Sequence, residues 1–437
     1  MQKYILGTSM NKSFAVILVA LLFMMVSCIV VVEPVLSSVD VTEDTWVSKA
    51  PMQQARYNLG VAVVNGKIYA IGGNAEKGAV GTNEEYDPVT DTWSSKSPMP
   101  TPRYRFNLVI YQNKIYCIGG SITNGGPMTE ANEVYDPLTN KWETKASMPT
   151  PRDSFATVVY QNKIYCIGGT TENAVSGVNE VYDPITDVWE TKAAMPVAKS
   201  VDAVVVKDKI YLIGGGPNNT LNQVYDPTTD SWTIKAAMPN KAYGASVGMG
   251  NKIYVVGGSY SGDQFYTYNQ IYDPETDTWS QGATPPLSGG VVRRSAVVTT
   301  GEFAPKRIYI LDDALRVYSP ENDNWTFGTK MPTARLNFAV ALINDVLYAI
   351  GGCTFSYPDP AHSIGEDPII TMYATNEQYT PIGYGTPDPS FSPSPSPPST
   401  ETEPFPVAPV AAASVVTAAV VSLGLLIYFK KVIIKRK

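Results

Sequence analysis

Histidine is nearly absent: His362 is the only one in 437 residues. A single imidazole excludes zinc sites built on paired histidines. The four cysteines form no C-x-x-C and no metal-ligand spacing. Charged residues make up 17% and the net charge is −7, and no basic segment precedes an aromatic platform. That excludes a nucleic-acid role. The sequence gives no reason to expect a metal or a cofactor.

What is present is repetition. "YQNKIYCIGG" runs from Tyr111 to Gly120 and returns from Tyr160 to Gly169. Relatives stand in the same phase: "GKIYAIGG" from Gly66, "DKIYLIGG" from Asp208, "NKIYVVGG" from Asn251 and "DVLYAIGG" from Asp345. A degraded copy, "KRIYILDD", begins at Lys306. The tryptophans at 46, 93, 142, 189, 232, 279 and 325 are 43–49 residues apart. A period of that size marks a repeat architecture.

Each unit predicts four strands. "NLVIY" is strand a, and "QNK" turns it into strand b, "KIYCIG", whose unbroken apolar run predicts burial on both faces. Gly-Gly ends strand b with a positive φ or a close backbone approach. "NEVY" is strand c, "DPLTN" a Pro-containing turn, and "KWETK" strand d around its Trp. Four strands cannot cover both faces of their own sheet, and radial stacking solves this. Six full units, a lone strand d at Trp46 and a final a-b-c set ending at Tyr379 predict an all-β, seven-bladed propeller whose last blade is closed by the N-terminal strand.

Residues 44–381, about three-quarters of the chain, resemble the Kelch repeat family in the Gly-Gly doublet, the Tyr ahead of the Trp-bearing strand and the spaced Trp. The doublet is present in six of seven units, and Asp312-Asp313 replaces it in the sixth. The resemblance implies a propeller, and a fold alone implies no function. Some Kelch propellers are copper-radical oxidases similar to galactose oxidase. That chemistry needs at least two imidazole ligands, which this chain does not have.

The ends read differently. Residues 1–37 contain an apolar run, Phe14 to Val32, behind Lys3 and Lys12, with a small-residue cut near Val35-Leu36-Ser37. A cleaved leader and an uncleaved signal anchor both fit. Cys28 in "MVSC" is a weak lipidation signal with apolar residues after it. Residues 382–409 form a Pro/Ser-rich spacer, 410–429 an uncharged run long enough to span a bilayer, and 430–437 a basic tail, "KKVIIKRK". The basic flank predicts a cytoplasmic C-terminus and a propeller outside, at the cell surface. Asn218 and Asn324 lie in glycosylation sequons.

Candidate chemistry is sparse. "GASVG" from Gly244 matches a nucleophile elbow, yet it lies in a predicted strand a with no helix after it. The pairs Asp87/Asp91, Asp183/Asp187, Asp226/Asp230 and Asp273/Asp277 fall in the c–d turns, where Asp caps its own backbone. They offer too few oxygens for calcium. Cys117 and Cys166 occupy equivalent places in neighbouring blades, too far apart for a disulfide, and read as buried thiols.

Strand direction puts the start of strand a and the b–c loop on one face of the disc, the loop face. The a–b and c–d turns share the other, the turn face. On the loop face stand Arg56, Arg103, Arg152, Lys241, Arg335 and the Arg293-Arg294 pair, with Lys199 shifted by one. The Kelch resemblance implies that arginines at this position contact acidic partners, and local pairing with a carboxylate reads equally well. The b–c loops differ: blade five carries Tyr260, Phe265, Tyr266 and Tyr268, and blade seven carries Phe355, Tyr357, His362 and Tyr373, while blade six has almost nothing. Two readings follow, aromatics packed in small closed loops or a ligand notch above blade six floored by Arg293-Arg294. The function expected is a non-catalytic module binding a protein or glycan ligand. The alternative is a carbohydrate-processing enzyme similar to Kelch-type sialic-acid epimerases, with Asp153 and Asp202 as the nearby carboxylates.

Overall fold

The structure, a computed structural model, describes residues 42–389 except 124–125, 216–219, 242, 262–263, 287–294, 312–313 and 357–367. It contains seven four-stranded antiparallel sheets and no helix among the described residues. Blade two shows the pattern: a, Asn107–Tyr111; b, Lys114–Ile118; c, Asn132–Asp136; d, Lys141–Thr144. The first strands of neighbouring blades touch all the way round, from Gly60–Val64 through Ala339–Ile343 and back. In the seventh sheet Thr45–Lys49 pairs with Asn376–Thr380, placing Trp46 opposite Tyr379.

The core lies between blades. Ile115 and Cys117 of strand b pack with Ala62, Tyr69 and Ile71 of blade one. Tyr116 and Ile118, pointing the other way, pack with Ile164 and Cys166 of blade three. Both faces of strand b are therefore buried, which is why its sequence is apolar without alternation. Cys117, Cys166 and Cys353 are buried free thiols. Burial pushes the Cys117 and Cys166 thiols up to about 12, so they are inert as nucleophiles.

Polar links join the blades at their rim. The indole N–H of Trp93 donates to Ala50 O and that of Trp142 to Ser97 O, and Trp189, Trp232, Trp279, Trp325 and Trp46 repeat the bond, each at 2.7–2.8 Å. The two aspartates of a c–d turn divide the work. Asp87 caps its own turn through Val89 N. Asp91, at φ 52°, accepts from its own Tyr86 hydroxyl and from Ala50 N of the preceding blade. The bond from Ala50 leads in holding the Asp91 carboxyl below its ordinary range. The expectation that each Asp caps only its own backbone is thus corrected for the second of the pair. The register explains it: a left-handed residue at the turn's end aims its side chain at the neighbour.

Blade five departs from the Gly-Gly rule. In blades one to four and seven both glycines have positive φ. In blade five Gly257 and Gly258 stay in the ladder, opposite Tyr268 and Thr267. Its b and c strands therefore run ten residues each, Lys252–Ser261 and Gln264–Asp273, as one continuous hairpin.

Candidate functional site

The loop-face arginines begin where strand a begins. Arg56, Arg103 and Arg152 are fully buried and Arg335 nearly so. Each guanidinium pairs with a carboxylate from strand c of its own blade: Glu84, Glu133, Glu180 and Glu377. Each also donates to a strand-b carbonyl, as Arg103 does to Cys117 O at 2.8 Å. Of the two readings of these arginines, local pairing with a carboxylate is the one found at these four positions. A guanidinium presents five donors, and the blade's carboxylate and carbonyls take those of its two terminal nitrogens, leaving Nε of Arg56, Arg103 and Arg152 without a hydrogen bond.

Blades four and five change both partners together, and blade six changes the carboxylate. In blade four Lys199 replaces Arg, and Gln223 stands where the others have Glu. Gln223 bonds Val197 instead, in both directions. The Lys199 ammonium is buried against the carbonyls of Leu212, Gly214 and Leu221 at 2.9–3.2 Å. Desolvation lowers its pKa to about 8. In blade five Lys241 is exposed and Gln270 bonds Asn240. In blade six Arg316, buried, stands at the Glu position, one residue before Val317 and Tyr318. At the position where four blades carry the Glu that engages Arg, blade six thus carries a cation. Arg293 and Arg294 lie outside the described residues. The sequence signal for this pairing is the joint change from Arg with Glu to Lys with Gln.

The loops are hairpins. Blade five's ladder continues through Tyr260 opposite Phe265 to Ser261 opposite Gln264. Tyr266 lies in the same ladder, opposite Ser259. Tyr268 turns back, partly buried against the Val204–Val255 cluster. Blade seven adds a hairpin of its own, Cys353–Ser356 with Ile369–Met372. Phe355 is 38% exposed on it, and Tyr373 lies half-buried with its hydroxyl 3.3 Å from that of Thr354. Tyr357 and His362 lie outside the described residues. Between these two hairpins the b–c connection of blade six runs only from Leu311 to Arg316. A further groove of about 480 Å³ lies between blade seven's hairpin and blade one, lined by Gln53, Gln54, Ala75, Glu76, Ile370 and Met372.

The carboxylates suggested for acid–base work are apart in character. Asp153 is buried and accepts from the Ser121 hydroxyl of blade two at 2.8 Å. Asp202 is exposed at the surface, yet desolvation by the protein packed around its carboxyl pushes it up. Ser246 sits mid-strand opposite Val255, so "GASVG" is ladder and not an elbow. Asn324 is exposed at the start of a strand d, and Asn218 lies outside the described residues. No group of three or more His, Cys, Asp or Glu is placed to hold a metal among the described residues. No described helix is long and apolar enough to cross a membrane, and 410–429 lies outside the described residues.

The KLHDC2/KLHL20/DRC7 Kelch-repeats domain matches residues 34–169, and the Kelch motif matches 151–196 and 241–286. The structure has seven four-stranded blades, and the matched residues that are described lie within them. This is a Kelch-repeat protein. No curated protein matches the chain. A Kelch propeller is generally a protein-interaction module, and its usual partners are proteins.

Proposed function

We propose that this Kelch propeller is a non-catalytic binding module held outside the cell by a C-terminal membrane span, and that it takes a protein or glycan ligand in the notch above blade six. One observation carries the site. Two hairpins project from the loop face on either side of a blade whose own b–c connection is short. Concave surface of this kind between rigid elements is where ligands are held.

Charge supports the same place. In blades one, two, three and seven the basic residue is neutralised inside the blade. Blade six has Arg316 where those blades have Glu. The basic pair of blade six in the sequence is Arg293-Arg294, and these are the residues proposed to meet the ligand. An arginine can bind a carboxylate or phosphate through two parallel hydrogen bonds, and the two hairpin sequences carry Tyr260, Phe265, Tyr266 and Phe355 as aromatics for such a ligand.

The topology rests on the sequence. The apolar run at 410–429 ends in "KKVIIKRK", a basic flank that belongs in the cytoplasm. Residues 1–37 serve as a leader or an anchor.

A glycan and peptide array probed with the full chain in detergent tests the binding role. Capture of a discrete acidic or sugar ligand, weakened by Arg294→Ala and unchanged by Lys241→Ala, is the expected result. Equal loss from both variants, or turnover of an arrayed sugar, contradicts it.

A further inference from the structure

The turn face carries an unexplained asymmetry. The third residue of the c–d turn is Val89, Leu138 and Ile185 in blades one to three, and these are 91%, 92% and 72% exposed. In blades four to six the same place holds Thr228, Glu275 and Glu321, all exposed. The turn itself therefore requires nothing apolar there. Three consecutive blades nonetheless hold large aliphatic side chains mostly in water, where each loses by exposure.

The chain leaves the propeller on this same face. Strand c of blade seven ends there at Thr380. Beyond it Gly383 N donates to Glu43, Gly385 N to Phe303 O at 2.7 Å, and Asp388 N to Gly301 O at 2.8 Å. Glu43, Gly301 and Phe303 all belong to the turn side of blades six and seven. The path to the spacer is thus fixed on the turn face as far as residue 388. The 20 residues from 390 to 409 then lead to the apolar run at 410–429. Extended at ~3.1 Å per residue, such a Pro-rich tether reaches on the order of 60 Å.

The first carboxylate of each of these turns is ion-paired, while Asp91 and Asp187, at the turn ends, are held by a Tyr hydroxyl and a backbone N–H. Asp87 pairs with Lys67, Asp136 with Lys114 at 3.5 Å, and Asp183 with Lys163 at 3.7 Å. The arc of blades one to three therefore presents aliphatic tips beside ion-paired or hydrogen-bonded carboxylates, although the chain as a whole is acidic.

We propose that the turn face is a membrane-contact surface, with Val89, Leu138 and Ile185 seated in the headgroup region of the bilayer that anchors the chain. This rests on the anchored topology proposed above. Shallow insertion of three aliphatic tips is weak by itself. A tether on the same face turns it into an intramolecular event at high effective concentration. Contact at blades one to three, together with the tether at blades six and seven, lays the disc parallel to the membrane. The loop face then points away from it, toward ligands.

The test uses the full chain in phosphatidylcholine vesicles. Leu138→Cys and Glu321→Cys are made in a Cys28→Ser background and carry an environment-sensitive fluorophore, since the other three thiols are buried. Quenching at 138 by nitroxide lipids and not by iodide, with the reverse at 321, is the expected result. Val89→Cys and Ile185→Cys should follow 138. Iodide quenching at 138 equal to that at 321 overturns the contact and leaves the anchor standing. Protection at 138 from both quenchers that grows with protein-to-lipid ratio shows a second copy on this face and also overturns it. A chain that does not float with the vesicles overturns the anchored topology and the contact with it.

Discussion

The carbonyl of Arg152 in blade three accepts a hydrogen bond from Gly120 N of blade two at 3.1 Å. The guanidinium of the same arginine is tied to Glu180 and Cys166 O within blade three. One residue thus fixes its own blade internally and clasps the preceding one. Arg103 with Gly73, Lys199 with Gly169 and Arg56 with Gly352 repeat the clasp.

Removing one partner of the buried pair should be costly, because the other charge is left without compensation. Arg152→Ala should destabilise by about 3–5 kcal/mol. Adding Glu180→Gln should recover part of that loss, since no orphaned carboxylate remains and Gln223 already fills this place in blade four. Urea unfolding midpoints of the two variants decide it. A double variant no better than the single one removes the pair as the reason for the burial.

The clasp also explains the glycine before it. Gly119 has φ 62°, and a Cβ there would come within 2.6 Å of Arg152 O and 2.8 Å of the Phe155 ring. Gly66, at φ 71°, has nothing within 4 Å of such a Cβ. Gly66→Ala should therefore cost about 1 kcal/mol for conformation alone, and Gly119→Ala about 3 kcal/mol or more. Equal losses in thermal unfolding would mean the blades part freely at this point.

The blade count and strand order were legible in the sequence because both follow from local periodicity: the tryptophan spacing and the apolar strand b. The arginines were not. Whether Arg103 faces solvent or Glu133 depends on a strand c about 30 residues away, and only the matched Lys199/Gln223 substitution hinted at it. Blade five's hairpin was hidden for a different reason. Gly257-Gly258 reads like the other doublets, yet Tyr243 and Gly244 pair opposite it and hold it extended. The aromatic loops were legible as long, but their β-pairing was not.

Lys199 gives the propeller a pH signature. Its folded pKa is lowered from 10.5 to about 8 by burial. Below pH 8 both states hold the proton and the burial penalty is complete. Between 8 and 10.5 the unfolded chain binds more protons, so stability rises with pH. From pH 8 to 9.5 the gain over Lys199→Met should be about 1.5 kcal/mol. Comparing the two variants at each pH cancels the buried tyrosines, whose raised values act in the opposite direction at higher pH. A constant difference across this range contradicts the assignment.

Trp46 bonds Thr329 O, and Asp44 accepts from both Thr329 N and the Tyr379 hydroxyl. Deleting 44–52 should expose the edge of Asn376–Thr380 and give aggregation or a broadened, lower melting transition. A deletion variant that melts like the parent would show that the ring needs no such latch.

The most direct test of the whole account is protease shaving of intact cells that express the chain with a tag after Lys437. The expected result is release of a propeller fragment cut within 390–409, with the tag kept inside until the cells are lysed. A propeller that survives on intact cells and is cleaved only after lysis would contradict an outward-facing binding module.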